Sequence, residues 1–220
     1  RSAMRKYSGF NDPCGGVHFS GRRTLCMVAA GVVAKKMLPE VRFSTEITKI
    51  GGCVDRSLFE KVVKEALDAG DSVGGVVECA VTGVDPGLGE PFFNSVESIT
   101  AHLLFSIPAV KGVEFGAGFT VADRFGSMNN DLIHDSEGRT VTNNDGGING
   151  GISNGNPIVV RTAIKPTPSI SKPQDTYNFK NSKVESLTVG GRHDACITLR
   201  AAVVVEAAIA IALAELSVWQ

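Results

Sequence analysis

The sequence predicts an α+β fold, with helices and strands mixed along one chain. Residues 22–38 carry apolar side chains at helical spacing, and residues 41–50 alternate in the manner of a strand. Residues 201–216 are apolar on nearly all sides, which is typical of a helix buried in a core. A length of 220 residues allows one large domain or two small ones, and no linker-like composition divides the chain.

The first predicted helix covers residues 22–38. Ser20 can cap it, because its hydroxyl can accept a backbone N–H that is free in the first turn, and Pro39 helps to end it. A strand over residues 41–50 follows and stops at two glycines. The apolar face of the helix, predicted to be the buried one, consists of Leu25, Val28, Ala29, Val32 and Val33.

The second predicted helix begins with a capping box formed by Ser57 and Glu60. It ends at Gly70, a residue suited to a left-handed C-terminal cap. The other predicted elements are a strand over residues 73–82, a helix from Asn94 or Ser95 to Pro108, strands over 110–115, 119–122, 159–164 and 184–189, and the buried helix over 201–216.

Residues 126–155 form a long segment without helical or strand periodicity, and its second half is rich in Gly and Asn. A loop of this length in a compact domain is usually functional or disordered. Glycines allow a backbone to approach a ligand closely, although a Gly- and Asn-rich loop is often purely structural. The segment is not a Walker P-loop, because no Gly-Lys-Ser/Thr follows its glycines.

Two later segments carry the side chains of a possible anion site. Segment 165–169 reads Lys-Pro-Thr-Pro-Ser, and segment 190–196 reads Gly-Gly-Arg-His-Asp-Ala-Cys. Asp194 beside His193 offers proton-transfer chemistry, and it can equally cap the last helix. A plain interpretation of the first segment also stays open, with prolines that end a strand and a lysine that faces water. The side chains of the types that hold phosphate are Lys165, Thr167, Ser169 and Arg192.

The composition argues against several classes of protein. The net charge of −1 gives no broad attraction to nucleic acid or to a membrane surface. Five cysteines without a Cys-x-x-Cys pair favour free thiols in a reducing cytoplasm over a disulfide framework. The four histidines are scattered, so no metal site is expected. The apolar run 201–216 is too short for a membrane span and contains Glu206 and Glu215.

Several blocks of this sequence, in the same order, resemble chorismate synthases. The likeness is collinear over about residues 7–216, which makes it far stronger than any one motif. An unrelated phosphate-binding domain would have to match every block by accident. The blocks are His18-Phe19-Ser20-Gly21-Arg22 leading into 28–36, the segment 108–116, the Gly-rich segment 146–155, the segment 165–169, and the segment 190–196 with the helix that follows it.

The resemblance implies a fold in which helices are sandwiched between β-sheets, and a cytoplasmic homotetramer. It implies conversion of 5-enolpyruvylshikimate-3-phosphate to chorismate by 1,4-elimination of phosphate, in the shikimate pathway to aromatic amino acids. Reduced FMN is the implied cofactor. NADP is an implied candidate in its reduction, and an external reductant is the other. No nucleic acid and no membrane is implied as a partner.

The resemblance also implies roles for individual residues. Asp194 matches the acid that works with flavin N5 in removing the substrate proton. The chain, as one domain over residues 1–220, is expected to lack the family's N-terminal part with two catalytic histidines. A non-catalytic remnant that binds flavin or assembles is therefore the alternative. The implied flavin-binding residues are His18, Phe19, Ser20, Pro108, Ala109, Gly150, Lys165, Pro166, Thr167, Pro168, Ser169 and Arg192.

Overall fold

The computed structural model describes residues 1–12 and 19–218, and within them the α+β class is confirmed. The helices are α1 (Ser2–Lys6), α2 (Thr24–Met37), α3 (Phe59–Asp68), α4 (Val96–Ser106), α5 (Gly126–Asn129) and α6 (Thr198–Val218). The strands are β1 (Arg42–Ile50), β2 (Gly75–Thr82), β3 (Val110–Phe115), β4 (Ile148–Asn149), β5 (Ile152–Ser153), β6 (Ile158–Ile164), β7 (Gln174–Asn178) and β8 (Lys183–Leu187).

The centre of the fold is a four-stranded antiparallel sheet in the order β1-β2-β6-β3. Alternate residues of β6 are buried, and the same holds for the central part of β2, because successive side chains in a strand point to opposite faces. The buried side chains of both strands join those of α4 and α6 in one core cluster. The helices thus cover one face of the sheet, while the opposite face carries the half-exposed Glu78 and Arg161.

Helix α6 is the core helix, as predicted, and it is longer than the predicted 201–216. Its 21 residues and a mean hydropathy of 2.1 would be enough to cross a membrane by length and composition. However, 61% of its most apolar window is buried inside the fold. Eleven of its residues are buried, among them Val205, Ile209 and Leu213, which contact the sheet layer. The apolar character of the segment therefore serves the core.

Of the predicted apolar face of α2, only Val28 packs against the core, and it is half-buried, whereas Ala29 is exposed. Leu25, Val32 and Val33 are exposed, whereas Gly31 and Ala34 are buried against α6. A Cβ atom on Gly31 would lie 2.5 Å from that of Ala207, so the two helices meet at a distance that only glycine permits. The helical periodicity predicts that the bulky residues are buried. In the structure the small residues are buried instead, because α2 and α6 are in close contact.

Three further predictions differ from the structure. Asp55, rather than Ser57, accepts the backbone N–H at the start of the turn before α3. Residues 119–122 lie in a 3-10 helix, Gly118–Asp123, and are not a strand. Strand β7 is polar and almost entirely exposed, so no alternating apolar pattern marked it. The remaining predicted helices and strands are present, with shifted ends, and Gly70 is left-handed as the predicted cap of α3.

Candidate anion-binding site

Three predicted site segments meet at the end of the sheet where β6 finishes. The backbone N–H of Lys165 donates to the carbonyl of Ala109 at 2.9 Å, which joins segments 108–109 and 165–169. Residues 70–74, here called the clamp segment, lie between the later two segments. The hydroxyl of Ser72 donates to the carbonyl of Thr167 at 2.7 Å. The next residue, Val73, donates its N–H to the carbonyl of Ala195 at 2.8 Å.

The phosphate-type donors of this cluster are not used by the fold. Lys165 and Arg192 are exposed, and Ser169 is half-buried. Within residues 1–12 and 19–218, none of the three side chains has a hydrogen-bond or ion-pair partner. The hydroxyl oxygen of Thr167 is buried and also lacks a partner in this described part. Burying a hydroxyl without a partner costs about 1–3 kcal/mol, so this group is suited to a ligand oxygen.

Asp194 has a partner that the sequence did not point out. Its two carboxylate oxygens accept from the guanidinium of Arg200 at 3.0 and 3.2 Å. A two-point contact of this kind favours one plane of the carboxylate, although the Arg200 side chain is 71% exposed, so water weakens the pair. Asp194 precedes the first residue of α6, Thr198, and its observed partner Arg200 lies in the first turn of that helix. The adjacent His193 contacts the carbonyl of Val189 through Nε2 at 3.0 Å.

The two ends of the flavin-binding set lie far apart within this chain. Gly150 is at the tip of the β4–β5 hairpin, and the carbonyl of Gly151 accepts the N–H of Val96 at the start of α4. Lys165 and Ala109 lie beyond the other end of β6. The length of β6 separates the two places by about 20 Å. The structure therefore does not bring Gly150 to the other members of the predicted site.

The loop over residues 126–155 is held by its own polar side chains. Asp131 accepts three hydrogen bonds, from the Thr142 hydroxyl at 2.6 Å and from the backbone N–H groups of Asn144 and Asp145 at 2.7 and 2.9 Å. Burial alone would raise the pKa of Asp131, but these hydrogen bonds outweigh it and the pKa lies below its usual value. The Asn143 side chain bonds to Gly147 and to the carbonyl of Pro157. The Asn-rich composition thus serves the structure of the loop.

The earliest site segment is described in part. His18 lies outside the described residues. Phe19 is exposed. The Ser20 hydroxyl accepts the N–H of Arg22 at 3.2 Å, so it caps the 3-10 turn Gly21–Arg23 that leads into α2 and not α2 itself, which has no side-chain cap among the described residues. Helix α2, which follows, runs beside α6, with Gly31 against Ala207. Ala34 clusters with alanines further along α6, so both helices start at the same end of the molecule. That end is also where Thr198 packs on Gly75, next to the clamp segment.

Comparison with known proteins identifies the family. A family model described as chorismate synthase matches residues 1–218. The chain belongs to the chorismate synthase family. The chorismate synthase of Chitinophaga pinensis is 54% identical over 214 residues, which is 97% of this chain and 64% of that protein. That of Pyrococcus abyssi is 45% identical over 238 residues, or 97% of this chain and 67% of that protein.

A solved structure gives the same result for the fold. A crystal structure of chorismate synthase matches with a TM-score of 0.79 and 30% identity, over 97% of this chain and 68% of that chain. The resemblance drawn from the ordered sequence blocks is thereby confirmed. The chain spans about two thirds of the length of the chorismate synthases it matches, 64% in the case of the Chitinophaga pinensis protein.

Sequence reasoning missed two contributors to this site, Ser72 and Arg200. Arg200 was visible as a cation six residues after Asp194, in a helix otherwise apolar at its start. The sequence around Ser72 gave a weaker indication that this residue belongs to the site. It precedes Val73 and the glycines 74 and 75, and glycine at a strand start often marks a place where another backbone comes close.

Proposed function

We propose that this protein, as a chorismate synthase, converts 5-enolpyruvylshikimate-3-phosphate to chorismate with reduced FMN as cofactor. The observation that carries the proposal is the cluster of partnerless phosphate donors beside a positioned carboxylate, in a chain of this family. The reaction removes a phosphate and a proton from the substrate. The whole chain forms one domain, and the assembly is a cytoplasmic homotetramer.

The described residues fit a flavin phosphate. Lys165 supplies a free ammonium group, and the buried hydroxyl of Thr167 has no partner in the described part of the chain. Hydrogen bonds to a charged group are worth about 1.5–3 kcal/mol each, so these two donors and Ser169 provide most of the affinity for a phosphate. Pro108 and Ala109, joined to Lys165 by a backbone hydrogen bond, form the adjoining wall.

The other members of the proposed flavin site come from further segments. Arg192 lies three residues before Ala195, whose carbonyl contacts the clamp segment. Gly150 lies at the opposite end of β6, and the proposed homotetramer can bring it to the site from a second copy of the chain. The full proposed set is His18, Phe19, Ser20, Pro108, Ala109, Gly150, Lys165, Pro166, Thr167, Pro168, Ser169 and Arg192.

Asp194 is the acid proposed to assist the flavin in removing the substrate proton. The guanidinium of Arg200 holds both oxygens of the carboxylate, so the side chain is oriented before a substrate binds. Reduced FMN, when bound, supplies electron density that assists the departure of phosphate.

An anaerobic assay tests this proposal. The protein is mixed with chemically reduced FMN and 5-enolpyruvylshikimate-3-phosphate, and chorismate is followed by its absorbance and by chromatography. Formation of chorismate supports the proposal. FMN binding without turnover supports the alternative of a non-catalytic flavin-binding remnant, and absence of both overturns the proposal. A second arm with oxidised FMN and NADPH shows whether the protein reduces its own flavin.

A further inference from the structure

The clamp segment holds residues 167–172 at several points. The carbonyl of Gly70 accepts the N–H groups of Ser171 and Lys172, both at 3.0 Å. The carboxylate of Asp71 accepts from the ammonium group of Lys172 at 3.1 Å. The hydroxyl of Ser72 reaches Thr167. These contacts join residues about a hundred positions apart along the chain, so they exist only in the folded protein.

The hydrogen bond from Ser72 is important for holding Thr167 because a proline lies on each side of that residue. Pro166 and Pro168 have no backbone N–H, so this stretch cannot be held by a regular ladder of hydrogen bonds. The last backbone tie on one side is Lys165 to Ala109, and the first on the other side is Ser171 to Gly70. Between them, within the described residues, the bond from Ser72 to the Thr167 carbonyl is the one hydrogen bond to the rest of the fold.

Gly74 brings the clamp segment against this stretch. A Cβ atom there would lie 2.4 Å from the carbonyl oxygen of Ile164 and 3.0 Å from Cδ of Pro166. The first distance is shorter than real contacts allow, and a backbone carbonyl cannot move aside as a flexible side chain would. The close approach puts the half-buried Ser72 within hydrogen-bond distance of Thr167.

We propose that Ser72 is a positioning residue for the phosphate site. Its hydroxyl holds the Thr167 carbonyl and thereby fixes the backbone that carries the partnerless Thr167 hydroxyl. This inference rests on the proposed function, because it assigns Ser72 to the site where the flavin phosphate binds. Ser72 itself does not touch the ligand, so its effect is on affinity for FMN and not on the chemical step.

The first test needs no flavin. Hydrogen exchange of peptides covering residues 165–172 is compared among the wild type, Ser72→Thr and Ser72→Val, since Thr and Val have nearly the same size and differ in the hydroxyl. We expect faster exchange in Ser72→Val and near wild-type exchange in Ser72→Thr. Ser217→Ala is the matched control, because the Ser217 hydroxyl donates to the Ala214 carbonyl at 2.8 Å near the far end of α6. Equal exchange in the Thr and Val variants overturns the inference.

The second test measures FMN binding and turnover in the same proteins. Loss of one hydrogen bond that positions the donors is expected to weaken FMN about five- to tenfold in Ser72→Val and Ser72→Ala. The kcat at saturating FMN should stay near that of the wild type. Wild-type protein that fails to bind FMN counts against the proposed function and leaves the exchange result standing. Wild-type protein that binds FMN no better than Ser72→Val overturns the positioning role alone.

Discussion

The two ends of β6 both carry polar loops, and the loops differ in how their polar groups are used. At the end that precedes Ile158, the Asn- and Gly-rich loop binds itself, with Asp131 accepting three hydrogen bonds and Asn143 making two more. At the end that follows Ile164, the donors of Lys165 and Thr167 have no partner in the described residues. The sequence alone does not reveal whether a polar side chain is already hydrogen-bonded within the fold.

This difference favours the end that follows Ile164 as the proposed anion site. A donor that already serves the fold must break a hydrogen bond before it can bind a ligand, whereas an unpaired donor gains one. The glycines of the first loop had suggested a backbone that could approach a ligand closely, but the polar side chains between them are engaged in the loop's own structure. The Lys-Pro-Thr-Pro-Ser segment had a plain alternative as a strand end, and its free donors favour the functional interpretation.

The largest expected effect at the ligand end is on turnover. Asp194→Asn removes the acid proposed to assist removal of the substrate proton, and we expect a fall in kcat of about 10²–10⁴-fold with FMN affinity largely unchanged. Anaerobic turnover and FMN titration measure the two quantities. Asp68→Asn, an equal loss of charge on the exposed side of α3, is the control and should keep both. A wild-type rate for Asp194→Asn would remove Asp194 from the mechanism.

The next effect is on cofactor binding. Lys165→Ala should weaken FMN binding by about 1.5–3 kcal/mol, because a charge-assisted contact to phosphate is lost. Fluorescence titration with FMN gives the dissociation constant, and the loss should shrink at high salt as screening reduces the contact in the wild type. Lys64→Ala, which removes an exposed lysine of α3, is the control. An unchanged dissociation constant in Lys165→Ala would exclude this end of β6 as the phosphate site.

Much of the fold could be predicted from periodicity, since β1, β2, β6 and α6 each have a strong pattern of their own. The buried face of α2 could not, because Gly31 is inside on account of its fit to Ala207, a residue far along the chain. The same limit applies to the site. Residue types identified Lys165 and Asp194, but Ser72 and Arg200 act through contacts that only the folded chain creates.

A smaller effect, on stability, is expected at the end of β6 that precedes Ile158, where the loop is held by its own hydrogen bonds. Asp131→Asn replaces one accepting oxygen by an amide donor, so one of the N–H groups of Asn144 and Asp145 or the Thr142 hydroxyl loses its acceptor. Because the site is partly open to water, we expect a loss of about 1 kcal/mol in the free energy of unfolding. Urea denaturation measures it, with faster hydrogen exchange over residues 142–147. Asp135→Asn, in an exposed turn, is the control and should leave that exchange unchanged.

The smallest effect is the pH dependence of the same loop. The hydrogen bonds to Asp131 hold its pKa below the usual value, so the folded state binds a proton less readily than the unfolded state. Their stabilisation is therefore complete above the unfolded pKa of about 3.9 and is lost as the pH falls through the lower folded value. The amide resonances of Asn144 and Asp145 should titrate with a midpoint below about pH 3.9. A midpoint above that value would mean that burial raises the pKa of Asp131 by more than the hydrogen bonds lower it. The charged carboxylate would then destabilise the loop.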